Sequence, residues 1–415
     1  MRSATPLALC LNLIVVLGLA ACGQGEAPAG RTAASPGVDL QNKVLRIGAL
    51  NDESGPVAVI GRPYAFGKRI LAAEINAGGS GLLPEGWKVE LIERDHGYNP
   101  QRSVQTYNEI REQVLFLATS FGTPNTLPLI PMLRRNEMVA YPASAASKLQ
   151  ETRLTPILSA SYRMESLRAM DFAVADAGGA DQVRAAIVYQ HDDYGQDGVE
   201  GWLAAARHHG VEVVAKETYT PGQADFTATV TALRRAGATH VMLTTVPSAT
   251  APLLGTAAQL GYAPMFIGNS ASWIDRFFDP GVVPSSVFAR YWNVSAQRIW
   301  GEDIPVMRRF LAAYEKYGKG KVSPDGYIFA SYVQGMIAVE VFRRALEAGA
   351  PTRAGYLQAL QTLHDYTAEG ALIEPVDFRQ EPYRTSSMTR VLKPDFEARR
   401  WQVIADYAVP QTLQQ

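Results

Sequence analysis

Cysteine is nearly missing from these 415 residues: the two present, Cys10 and Cys22, both lie close to the N-terminus. The body of the chain therefore has no disulfide framework, no thiol nucleophile and no cysteine-based zinc site. An excess of either charge is missing as well. Lys and Arg number 39 against 40 Asp and Glu, a net charge of −1, which leaves no electrostatic footprint for nucleic acid or for an anionic membrane surface. Long hydrophobic runs are absent too: the apolar stretch from Leu7 to Leu19 falls short of the roughly 20 residues a bilayer-spanning helix needs. There is no phosphate loop, no zinc-type spacing and no Ser-His-Asp order with supporting loop chemistry. These absences argue against an enzyme, and the sequence implies no cofactor and no metal.

What is present begins with a leader. Arg2 precedes the apolar stretch, which closes on Leu19-Ala20-Ala21-Cys22, the charged, apolar and small-residue order of a secretory signal. A cysteine directly after Leu-Ala-Ala has the form of a bacterial lipoprotein processing site. Residues 1–22 are thus expected to be a signal peptide ending at a lipidated Cys22, which would anchor an exported chain by acyl groups alone. Residues 23–42, rich in Gly, Ala and Pro, read as a flexible tether.

From Val44 onward the pattern alternates. Val44–Leu50 is a β-prone run, followed by the turn-forming Asn51–Pro56 and a helical pattern over Tyr64–Asn76. Strands are expected at 87–93, 114–120 and 138–141, with helices over 100–113 and 127–136 between them. A second series has strands at 185–189, 211–217, 240–245 and 265–268, alternating with helices over 195–209, 225–236 and 249–261. Such alternation predicts an α/β fold of two lobes, each a doubly wound parallel sheet. Ligands of open α/β sheets bind beyond the carboxyl ends of the strands. The loops in that position, Asn51–Gly61, Gly122–Thr126, Pro142–Ser147, Gln190–Gly195, Val246–Thr250 and Asn269–Trp273, are rich in Gly, Ser, Thr, Asn and aromatic residues.

These loops and their neighbours carry a resemblance over nearly the whole mature chain. Arg46-Ile47-Gly48 through Ser54-Gly55-Pro56, Ala73–Gly79, Gly122-Thr123-Pro124-Asn125, Tyr189–Gly195 and Leu260-Gly261-Tyr262, with Asp377-Phe378 and Arg390-Val391-Leu392 near the end, resemble the periplasmic leucine/isoleucine/valine-binding proteins of ABC importers. The resemblance implies a type I periplasmic-binding fold joined by a three-crossing hinge. It places residues 43–162 and 291–372 in the first lobe, and residues 163–290 and 373–415 in the second. It also implies a small-molecule ligand, a membrane permease as partner, a monomer, and an extracytoplasmic location with membrane attachment only through the N-terminal lipid.

Carried across residue by residue, the resemblance assigns ligand contacts to Ser54 and Ile60 in the first loop and to Gly122 and Thr123. It adds Ala143, Ser144 and Ala145 as the carboxylate loop, then Tyr194, Val246 and, where the family pairs an acid with the ligand's ammonium, Ser270. Loss of that acid, with Ile60 and Val246 at aromatic positions, points to a more apolar cleft. Its expected ligand is a small organic or aromatic acid or an amide rather than a zwitterionic amino acid, since a buried ion without a partner costs on the order of several kcal/mol. Asp275 is a possible replacement acid.

Plainer readings stand beside these. Tyr194 could merely pack strand against helix. Trp273, Phe277 and Phe278 fit helix packing better than a ligand-stacking wall. His191-Asp192-Asp193 reads as a hydrogen-bonded loop rather than a metal site, because consecutive residues rarely converge on one ion, and His208-His209 as a solvated helix end. An envelope interaction protein using the same fold as a scaffold, its cleft vestigial, is the alternative to a solute-binding protein.

Overall fold

The computed structural model describes residues 35–414. The leader, Cys22 and residues 23–34 of the expected tether fall outside them.

The first sheet contains β1 (Val38–Asp39), β2 (Val44–Asn51), β3 (Lys88–Asp95), β4 (Leu117–Phe121) and β5 (Ala140–Ala143). Strands β3, β2, β4 and β5 run parallel, with β2 and β3 in register from Val44 opposite Lys88 to Asn51 opposite Asp95. The second sheet contains β6 (Arg184–Gln190), β7 (Glu212–Tyr219), β8 (His240–Thr244), β9 (Met265–Asn269), β10 (Tyr291–Ser295), β11 (Thr389–Asp395) and β12 (Arg400–Ala408). Its order is β12-β11-β10-β9-β8-β6-β7, with parallel pairing from β10 to β7 and β11 running antiparallel to both of its neighbours, β10 and β12. Central strands such as β4 and β8 are buried at every position, as a sheet covered on both faces requires. The two-lobed α/β architecture expected from the alternation is what the chain adopts.

The α-helices are α1 (Ala58–Ala77), α2 (Pro100–Ile110), α3 (Thr123–Thr126), α4 (Ile130–Asn136), α5 (Tyr162–Ala177), α6 (Asp193–His209), α7 (Thr227–Arg235), α8 (Pro247–Gln259), α9 (Pro305–Tyr317), α10 (Gly326–Glu347) and α11 (Arg353–Leu360). Several starts follow from local chemistry. Ser161 and Asp192 cap α5 and α6 by accepting from Met164 N and Gly195 N, and Gly178 and Gly210 end them in the left-handed region. Helix α1 begins at Ala58, inside the expected loop, and runs through Pro63. Tertiary packing of Ile60, Tyr64 and Ile70 overrides the local breaker.

Three boundaries differ from the sequence expectation. Val38–Asp39 pairs with Leu45 and Val44, and Arg46 N donates to Gly37 O, so residues 37–39 belong to the sheet rather than to a tether. Strand β10 lies in the second sheet beside β9, so residues 291–295 are not in the first lobe; the chain crosses after Ser295. The stretch expected to open the second lobe at 373 stays with the first. Tyr383 hydrogen-bonds Ile157 N and Thr155 O, Gln150 reaches Thr385, and the crossing comes just before β11.

Candidate ligand-binding cleft

The carboxyl ends of both sheets face a cleft of about 1200 Å³, counting open solvent at its mouth. From the first lobe, the end of β4 supplies Phe121, Gly122 and Thr123. Gly122 sits at φ +88°, and a Cβ there would come within 2.7 Å of the Tyr98 ring, so only glycine lets that aromatic close over the loop. The end of β5 supplies Ala143, Ser144 and Ala145. Thr123 Oγ1 and Ser144 Oγ lie 2.6 Å apart and share a hydrogen bond, while Ala146 N donates to Ser144 Oγ at 3.3 Å. Helix α1 adds Ile60 and Tyr64, and α10 adds Phe329, Val333 and Gln334. Gln334 is held from both sides: its Nε2 donates to Pro142 O at 2.8 Å, and its Oε1 accepts from Lys68 Nζ at 3.1 Å. Lys68 is itself fully buried, and burial pushes its pKa well down.

The second lobe contributes Tyr162, Tyr194, Val246 and Ala271. Tyr194 packs edge-on against Tyr162 with centroids 4.8 Å apart, and its hydroxyl lies 2.8 Å from Thr245 O and 3.0 Å from Asn269 Oδ1. Burial drives its phenol pKa far up, so it stays a neutral donor. The hinge end of the cleft is formed by Leu158, by Ala296, Gln297 and Arg298 after β10, and by Ala371–Ile373. Across the mouth the lobes touch: Gln190 Nε2 donates to Tyr98 OH at 3.0 Å, and Ser248 Oγ to Pro56 O at 3.3 Å.

Behind this lining, buried ionisable groups hold the loops. His96 accepts from Tyr98 N on Nδ1, and burial lowers its pKa to about 4. Glu165, at the start of α5, accepts from Ser270 N and Oγ and from Ala296 N, each at 3.1 Å, and burial raises its pKa to about 8. Among the residues lining the cleft none is Asp or Glu, and Arg298 is the one Lys or Arg. Among the described residues no group of three or more His, Cys, Asp or Glu could hold a metal ion, and no helix is long and apolar enough to cross a membrane.

A family model described as periplasmic binding protein matches residues 44–395. The chain belongs to the periplasmic binding protein family. This is a family of extracytoplasmic solute-binding proteins of the ABC-transporter type, normally without catalytic activity. The chain is 25% identical over 291 residues to an amino acid binding protein of Pseudomonas aeruginosa, covering 69% of this chain and 75% of the relative. It is 24% identical over 345 residues to Leu/Ile/Val-binding protein homolog 7 of Brucella abortus, covering 80% and 82%. Among solved structures, a fatty acid ABC transporter substrate-binding protein from Thermomonospora curvata superposes with TM-score 0.82 at 21% identity over 92% of this chain and 96% of that one. A branched chain amino acid ABC transporter protein from Thermus thermophilus with bound valine gives TM-score 0.78 at 20% identity over 89% and 98%. The fold is the type I periplasmic-binding fold.

Within this family member, the cleft brings together Ile60, Gly122, Thr123, Ala143, Ser144, Ala145, Tyr194 and Val246, all assigned from sequence. Two assigned residues are elsewhere. Ser54 is exposed and outside the lining, and Ser270 turns back to Glu165, leaving Ala271 to line the cleft. The candidate replacement acid, Asp275, is also outside the lining. It accepts from Gly326 N at 2.8 Å while its own N–H donates to Asp325 across the hinge, and burial raises both carboxyls. Trp273, Phe277 and Phe278 pack with Phe288, Tyr291, Phe396 and Trp401 into an aromatic core. Asp192 is the α6 cap, as a hydrogen-bonded loop would have it. His209 is not solvated: its Nε2 lies 2.6 Å from Asp171, whose side chain is fully buried.

Sequence reasoning missed Tyr64, Tyr98, Tyr162, Tyr327 and Arg298. Tyr98 lies in the loop after β3, which is not among the strand-end loops singled out from the sequence. The others come from helices and hinge crossings, which carry no strand-end signal.

Proposed function

We propose that this periplasmic binding protein is a lipid-anchored capture protein of an ABC importer. It would take a small organic or aromatic acid or amide, and close on it by a hinge. The observation that carries the reading is the absence of any carboxylate from the cleft lining, together with aromatic walls and neutral hydroxyl donors. An ammonium placed here would lose its water without gaining a counter-ion. A carboxylate or amide finds donors on Thr123, Ser144 and Arg298.

Of the relatives, one solved structure is named for fatty acid and another holds valine; the acid-free lining puts this chain nearer the first chemistry. The open volume between lobes favours a working cleft over a scaffold whose cleft is filled. Contacts from both lobes to one ligand would stabilise the closed state, the form a membrane permease would recognise. The anchor would be acyl groups on Cys22, with the protein acting as a monomer.

The test is a thermal-shift screen of amino acids against their deaminated acids and the corresponding amides. Binding to the native state raises stability by about 2.7 kcal/mol at a hundredfold excess over Kd. Shifts with acids or amides and none with leucine or valine support the reading. Shifts confined to the amino acids, or silence across the panel, count against it.

A further inference from the structure

Arg298 stands apart within the cleft. Every other polar lining group is neutral, and Arg298 lies at the hinge end, in the crossing that follows β10. Its Nε donates to Gly370 O at 3.1 Å, and Nη1 is 3.8 Å from Glu302 Oε2, too long for a hydrogen bond. The other oxygen of Glu302 is bonded to Arg390, whose Nη2 also donates to Gln297 O at 2.9 Å. Two guanidinium groups thus share one carboxylate, and a positive charge is left over beside the cleft. Glu374, nearby in sequence to the hinge segment, is turned to Ser386 Oγ and Ser387 N at 2.8 and 3.1 Å.

The first-lobe strand ends are different. Thr123 and Ser144 spend part of their capacity on each other, and they offer hydroxyls that can both donate and accept. The same lining carries the aromatic rings of Tyr64, Phe121, Tyr162 and Phe329.

Resting on the organic-acid reading above, we infer that the ligand carboxylate is held at the hinge end by Arg298, and that the Thr123–Ser144 pair takes a neutral polar group at the ligand's far end. This is the reverse of the orientation the family resemblance implies. A charge-assisted, potentially bidentate guanidinium contact outweighs hydroxyl contacts for an anion, whereas a hydroxyl pair suits a phenol or alcohol. The ligand class is accordingly a hydroxylated aromatic monocarboxylate.

Three probes separate the ends: 4-hydroxyphenylacetate, phenylacetate, which lacks the hydroxyl, and 4-hydroxyphenylacetamide, which lacks the charge. Titration calorimetry of the wild type should rank the first tightest. Arg298→Gln should weaken 4-hydroxyphenylacetate by about tenfold or more and its amide far less, erasing the preference for acid. Thr123→Val should erase the preference for the hydroxyl and leave the preference for acid. Arg298→Lys, which keeps a charge, should retain part of the acid preference, and matching ligand-free Tm values would show that all variants fold. Should Arg298→Gln be unstable, Arg298→Lys against Thr123→Val still decides. If Thr123→Val removes the acid preference while the Arg298 variants keep it, the orientation is overturned. Wild-type silence toward all three probes overturns the ligand class; if other acids still bind in the wider screen, the organic-acid reading survives, and if none does, both fall.

Discussion

Strand-end loops of the two lobes look alike in sequence and behave in opposite ways. The first-lobe loops after β4 and β5 carry Thr123 and Ser144, which line the cleft and hydrogen-bond to each other. The second-lobe loop after β9 carries Ser270, Ser272 and Asp275, and all three are engaged elsewhere. Ser270 is held by Glu165, Ser272 by Asn269 O and Tyr291, and Asp275 by Gly326 and Trp273. Only Ala271 of that turn lines the cleft. A polar residue beyond a strand end is available to a ligand only when the fold has not already used it, and a buried group is nearly always used.

The comparison can be broken from the second-lobe side first. Trp273→Ala should cost about 3–5 kcal/mol in urea-induced unfolding, because it empties the centre of an aromatic core; a loss of affinity without loss of stability would instead make Trp273 a ligand wall.

Next comes the carboxyl that captures Ser270. Folded Glu165 keeps its proton up to about pH 8, chiefly through burial, whereas in the unfolded chain it titrates near its ordinary 4.5. The folded state therefore binds the extra proton in that window, and stability falls as pH rises through it, by up to about 1.4 kcal/mol per pH unit. Glu165→Gln should flatten that slope in denaturant titrations between pH 5 and 8. Some slope should remain from Asp275 and Asp325, whose carboxyls are also raised by burial. An unchanged slope would mean that Glu165 is already ionised when folded.

On the first-lobe side, Ser144→Ala should leave folding nearly intact and weaken ligand by about 0.5–1.5 kcal/mol, the value of one net hydrogen bond. The smallest effect should come from Ser54→Ala. That residue is exposed and outside the cleft lining, so affinity should stay within about 0.5 kcal/mol, the usual range for surface substitutions.

The α/β alternation was legible because parallel strands buried on both faces read as apolar runs and their helices as amphipathic ones. The first-lobe site was legible for a related reason: Gly122, Thr123 and Ser144 follow strands directly, and the chain has little room to turn them away. Ser270 follows β9 as directly, but its fate depends on Glu165, 105 residues earlier in the chain. Arg298 and Tyr162 reach the cleft from hinge crossings and a helix start, where no periodicity marks a ligand contact. The place of β10 was misread for a comparable reason. A strand of apolar and aromatic residues fits either sheet, and its pairing with β9 is a tertiary choice.

The account rests on the missing carboxylate, and the most direct measurement compares leucine with 4-methylpentanoate, which is leucine without its ammonium group. Titration calorimetry under identical conditions should give tighter binding of 4-methylpentanoate, since the cleft has no acid to pair with the ammonium. Tighter binding of leucine would contradict the account and show that an ammonium is accommodated without a carboxylate in the lining.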